Sequence, residues 1–112
     1  MKNEKLLTKG FALMKEIIEN INKLLENRVR LGIMSILMVN ERKDFNSLKQ
    51  LLDTTDGNLA SHISSLEKNR FIRVNKTFIG KKPNTAYSAT ALGRKSFNEH
   101  LDALEQLIKK TL

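Results

Sequence analysis

The 112-residue sequence predicts one mainly helical domain of the α+β class. Three observations predict it. Apolar residues recur at helical spacing through residues 3–26, 29–40, 45–52, 57–67 and 91–110. A run rich in β-branched and aromatic residues, Phe71 to Ile79, breaks that periodicity; Gly80-Lys81-Lys82-Pro83-Asn84 then turns the chain into a second extended run, Thr85 to Ala89. Two of the helices, Phe45 to Leu52 and Gly57 to Glu67, are separated by little more than the turn Thr54-Thr55-Asp56, the spacing of a helix-turn-helix.

The first helix, residues 3–26, carries Leu7, Phe11, Met14, Ile18, Ile21 and Leu25 at intervals of 4, 3, 4, 3 and 4. Leu6, Leu13, Ile17 and Leu24 widen this stripe. A small domain has little with which to cover so broad a face. A second copy of the chain is therefore expected on it, with packing inside one chain as the alternative. Glu16, Glu19 and Glu26 speak against a membrane surface. Asn27-Arg28 breaks the helix, and Val29 to Asn40 has almost no polar side, so it is expected at the centre of the core. Gly32 would let a neighbouring helix come close. Asp44 caps the third helix, whose inner face is Phe45, Leu48, Leu51 and Leu52 and whose Lys49 and Gln50 face outward.

Thr55 is the expected N-cap of the helix after the turn. Leu59, Ile63 and Leu66 make its apolar stripe, which leaves Gly57, Asn58, Ser61, Ser64, Ser65 and Lys68 on the opposite side. An ordinary solvated face would carry more Glu and Lys. Short polar side chains are what a helix needs to enter a DNA major groove and read base edges. The following hairpin carries Arg73 and Lys76 on its stem and Lys81 and Lys82 at its tip. These are expected on phosphates or in a groove; the alternative is a solvated hairpin whose charges guard its edges. Thr90 caps the last helix, where Phe97, Leu101, Leu104 and Ile108 repeat the 4, 3, 4 spacing and Leu107 and Leu112 broaden it. Leu101, Leu104 and Ile108 are expected at the same dimer interface as the first helix.

Net charge is +8, and +7 of it falls in residues 42–95, with 11 Lys/Arg against 4 Asp/Glu. A polyanion is the partner such a distribution suits. The chain has no cysteine, which fits a reducing cytoplasm. Its longest apolar run, Leu31 to Val39, is far below the roughly 20 residues of a membrane span. No signal peptide is read at the N-terminus. His62 and His100 lie on different helices, so no metal site is expected, nor any cofactor. Neither paired carboxylates in an apolar setting nor a nucleophile with its base points to catalysis. His62 reads either as a base or phosphate contact or as a packing residue; His100 reads as structural.

The order of elements resembles the winged helix DNA-binding domain family of small MarR/ArsR-type transcriptional regulators. The residues that carry the resemblance are Asp44 to Lys49, Thr55 to Ile63, Lys76 to Thr85 and Thr90 to Arg94, within a similar region of about Arg28 to Phe97. It implies a winged helix-turn-helix core over residues 28–97 with extended N- and C-terminal dimerisation helices. Asn58, Ser61 and His62 would fall where the reading helix meets DNA, and Lys81 and Lys82 at the wing tip. The implied function is sequence-specific binding of double-stranded DNA by a homodimer that regulates transcription. A winged helix used only to bind proteins is the alternative. Related proteins often take a small-molecule effector near the dimer interface, although the sequence defines no pocket for one.

Overall fold

The computed structural model describes residues 2–109, with side chains from Gly10 onward. Leu7 of the expected interface thus falls outside the described side chains, and residue 110 and Leu112 fall outside the described residues. Asparagines divide the first part of the chain. Helix α1 spans Lys2–Glu19, and a 3-10 turn over Lys23–Glu26 follows instead of the predicted continuous helix to residue 26. The apolar period runs through the break, but Asn22 withdraws from the helix. Its side chain accepts from the Leu24 amide at 3.0 Å, and its own amide donates to His100 Nδ1 at 3.0 Å. Asn27 then caps α2, Arg28–Val39, by accepting from the amides of Val29 and Arg30. The break has a consequence for packing: Leu25, expected at the dimer interface, is instead 1 % exposed in the core.

Helix α2 is the centre of the core, as its sequence predicts. Ile33, Met34 and Leu37 are fully buried. Helix α3, Phe45–Leu52, begins on the predicted cap, with Asp44 accepting from the Ser47 amide at 2.8 Å. The Ser47 hydroxyl and amide beside it hold the Asp44 carboxyl below its ordinary range. Leu52 of α3 lies over Gly32, where an added Cβ would meet its Cδ2 at 2.5 Å. Leu51, expected on the inner face of α3, is exposed. Asp53 ends α3 in the left-handed region at φ 48°. Helix α4, Asp56–Lys68, starts from Thr55 and buries Leu59, Ile63 and Leu66.

Three strands, β1 (Lys43–Asp44), β2 (Ile72–Ile79) and β3 (Lys82–Ala89), form an antiparallel sheet in the order β1-β3-β2. Strands β2 and β3 pair along their whole length. The turn is therefore Gly80-Lys81 alone, shorter than the predicted Gly80 to Asn84. Gly80 takes φ 64° and is the only positive-φ glycine among the described residues, the pattern of a two-residue turn with glycine at its first central position. Strand β1 pairs with Tyr87 and Ala86, where the sequence alone reads as loop. It reaches only these two positions, so Pro83 lies where β3 has β2 on one side alone, which is where a residue without an amide is tolerated.

Helix α5, Ala91–Lys109, is locked to the base of the hairpin. The Thr90 hydroxyl donates to the carbonyls of Arg70 and Phe71 at 2.6 and 3.1 Å and accepts from the Gly93 amide at 3.0 Å. The Phe71 carbonyl also accepts from the Thr90 amide. Gly93 makes this junction possible, since a Cβ there would stand 2.1 Å from the Phe71 carbonyl oxygen. Helix α1 packs on the distal part of α5, burying Ile17 and Ala103. The resulting molecule measures 73 × 25 × 21 Å with a radius of gyration of 18.2 Å. A compact chain of this length would have about 13 Å.

Gly93→Ala should therefore destabilise the fold by about 1–3 kcal/mol or more, because the new methyl meets backbone that cannot give way. Gly57→Ala, with no atom within 4 Å of the added Cβ, should instead be neutral or stabilising by up to about 1 kcal/mol. Chemical denaturation of the two variants checks the contrast.

Candidate nucleic-acid interface

The burial of Leu59, Ile63 and Leu66 fixes the rotation of α4 about its axis. Asp56, Gly57, Asn58, Ala60, Ser61, Ser64, Glu67 and Lys68 are exposed as a result, and Ser65 is half-buried. Thirteen residues give the helix a length of about 20 Å, and the major groove is about 12 Å wide. Its face is not wholly uncommitted. One amide N–H of Asn58 donates to Thr54 Oγ1 at 2.8 Å, and the Ser65 hydroxyl donates back to the Ser61 carbonyl at 3.3 Å. Asp56 pairs with Lys49 at 2.8 Å across the turn, which neutralises the acid in the first turn and ties α3 to α4. Lys49, expected to face outward, is thus engaged within the motif.

His62 is half-buried, and its Nδ1 lies 2.9 Å from Nη1 of Arg30 on α2. Guanidinium only donates, so Nδ1 must accept and the imidazole proton sits on Nε2. Burial first, and the Arg30 charge second, hold the group below its ordinary pKa. His62 is therefore neutral and keeps an Nε2–H donor. Arg30 also donates from Nε to the Leu24 carbonyl at 2.7 Å, so one side chain joins the 3-10 turn, α2 and α4. Sequence reasoning missed Arg30, which lies 32 positions from His62 with no periodic relation to it.

The hairpin supplies the basic part. Arg73, Lys76, Lys81 and Lys82 are all exposed, and no acidic residue occurs between Glu67 and Glu99, a stretch with eight Lys/Arg. Arg70, at φ 62° beyond the end of α4, is a further exposed cation that the sequence alone did not single out. Its position two residues after Lys68 was the available signal. Arg94 turns inward instead, donating to the last carbonyls of α2 at Met38 and Leu37.

The terminal helices carry the other expected surface. Phe11, Ile18, Leu101 and Ile108 are exposed, as is Leu13; Met14, Ile21 and Leu104 are half-buried. His100, between the helices, is 2 % exposed and accepts from the Asn22 amide, the structural role its sequence position implied. Burial lowers its pKa, with Glu26 opposing. Among the described residues no group of three or more His, Cys, Asp and Glu is placed to hold a metal ion, and no helix is long and apolar enough to cross a membrane.

Both histidines titrate below their ordinary value in the folded chain, while the unfolded chain takes up the protons near pH 6.5. Stability should be full above that pH and fall as pH drops below it. His100→Asn, which offers an amide oxygen in place of Nδ1, should lose less stability than the parent between about pH 7 and 5 in chemical denaturation.

Comparison with known proteins agrees with this architecture. The profile of the winged helix DNA-binding domain family matches residues 29–108. An uncharacterised protein of Methanocaldococcus jannaschii is 34% identical over 87 residues, covering 78% of this chain and 95% of that protein. The solved structure of a transcriptional regulator homologue from Pyrococcus horikoshii superimposes with a TM-score of 0.74 at 36% identity, covering 84% of this chain and 91% of the other. At 13% identity, BpsR of Bordetella bronchiseptica, whose DNA binding is regulated by 6-hydroxynicotinic acid, shares the fold with a TM-score of 0.65, over 97% of this chain and 83% of its own. The chain therefore belongs to the winged helix DNA-binding domain family, with the fold of solved transcriptional regulators.

Proposed function

We propose that the protein is a homodimeric, sequence-specific double-stranded DNA-binding regulator of transcription. The observation that carries this reading is the succession of two exposed elements: the short polar face of α4 and the acid-free basic hairpin that follows it in the chain. In this reading, α4 enters the major groove with Gly57, Asn58, Ser61, His62, Ser64 and Ser65 toward the bases. Lys68 and the hairpin cations Arg73, Lys76, Lys81 and Lys82 lie along the backbone or minor groove. His62 contributes a neutral donor, which suits an acceptor such as a purine N7 or a phosphate oxygen.

The elongated protomer supports the dimer. An apolar face on α1 and α5 that holds Phe11 at 62 % and Ile18 at 53 % exposure is what a second copy would cover. The two reading helices would then meet half-sites about one helical turn apart or a multiple of it. A small-molecule effector would find a hollow of about 310 Å³ at the junction of α1 and α5, lined by Asn20, Glu99, Asp102, Ala103 and Gln106, whose charge does not suit a carboxylic acid such as the one that regulates the Bordetella protein. The two carboxylates favour a neutral or cationic molecule there.

Selection of duplexes from a random pool should recover a two-fold symmetric sequence. On that duplex, log affinity should fall linearly with log salt. The pair Lys81→Ala and Lys82→Ala should reduce the slope by about 0.9 for each phosphate that is no longer neutralised. Recovery of no preferred sequence, with binding only to other proteins, would overturn the reading.

Phe11→Glu with Ile18→Glu should leave each protomer folded, because neither side chain belongs to the core, yet halve the mass in light scattering and weaken binding to the selected duplex. An unchanged mass would overturn the assigned interface.

A further inference from the structure

The tip of the hairpin carries two large apolar side chains with nothing over them. Phe78 is 73 % and Ile79 67 % exposed, although both lie in a fully paired strand. Strand alternation puts Phe78 on the face that Ile72 and Val74 turn to the core, but beyond the core's edge, and Ile79 on the opposite face. The residue opposite Phe78 is Pro83, also exposed, and the residue opposite Ile79 is Lys82. The last two rungs of the ribbon therefore present a Phe78/Pro83 apolar pair on one face and Ile79 beside Lys82 on the other, and the ribbon turns at Gly80-Lys81. Lys76 follows one rung-pair below on the Phe78 face.

Folding does not need this arrangement, because neither side chain packs in the core, and an exposed apolar strand end invites unwanted association. The setting decides what covers it. A stretch with eight Lys/Arg and no acid attracts a polyanion and repels a second copy of itself. Apolar side chains flanked by cations suit the DNA minor groove, where phosphates line the rims and Phe or Ile can act as a wedge that opens the groove. We propose that Phe78 and Ile79 form an apolar wedge that enters the minor groove beside the α4 site, with Lys81 and Lys82 on the flanking phosphates. The inference rests on the DNA-binding reading above and adds to it an interaction that is independent of salt.

The test compares the parent, Phe78→Ser with Ile79→Ser, and Lys81→Ala with Lys82→Ala on the duplex recovered from a random pool. Binding is followed across salt concentrations, and hydroxyl-radical cleavage reports the minor groove. The serine pair should bind roughly tenfold or more weakly at every salt concentration, keep the parent's salt slope and lose minor-groove protection beside the central site. The alanine pair should lower the slope. If folding of the serine pair is impaired, Phe78→Leu with Ile79→Leu serves instead, and it should retain the protection. Parent-like affinity and protection in the serine pair would overturn the wedge while leaving the DNA-binding reading intact. A parent that binds no duplex would overturn both. A change in mass of the free serine pair would assign the patch to association between copies and overturn the wedge.

Discussion

The whole outer surface of the helix-turn-helix depends on the burial of Leu59, Ile63 and Leu66 beneath α4. Each contributes about 1.5–3 kcal/mol when removed from water, and together they allow the helix only one rotation. Turning it by one residue, about 100°, would drive Ala60 and Ser64 inward and lift Leu59 into solvent. The composition of the outer face is therefore a direct consequence of the inner one. Short polar groups face outward because the leucines and isoleucine cannot.

Electrostatics then divides the labour along the chain. Among the helices, three cations are paired or spent on backbone: Lys49 on Asp56, Arg94 on the end of α2, Arg30 on the Leu24 carbonyl and His62. In the hairpin they stand exposed with no acid in the surrounding sequence. Fixed charges hold the helices in register, and exposed ones are available to a polyanion. Arg30 belongs to the fixed set, where it connects the 3-10 turn after α1 to His62 of α4.

Much of this was legible in the residues themselves. Asp44, Thr55 and Thr90 cap the helices they were expected to cap, and α3 has the predicted limits, because capping depends only on a side chain and amides two or three positions away. The apolar stripes of α2 and α4 were equally plain. What escaped depends on partners distant in sequence. Strand β1 exists because Lys43 meets Tyr87, and Arg30 matters because it meets His62. The break after Glu19 was hidden by an apolar period that continues through it, and the hydrogen bonds of Asn22 to the Leu24 amide and to His100 show why the chain turns. Leu25 belongs to the core rather than the interface for the same reason. Phe78 and Ile79 read as strand formers, which they are, but their exposure follows from how far the hairpin outruns the core.

The measurement closest to the central claim compares the selected duplex with an unrelated one, at a single salt concentration, for the parent and for Asn58→Ala with Ser61→Ala. If the outer face of α4 reads bases, the variant should lose about ten- to a hundredfold in affinity for the selected duplex and almost nothing for the unrelated one. Equal losses on both, or no loss on either, would contradict the account.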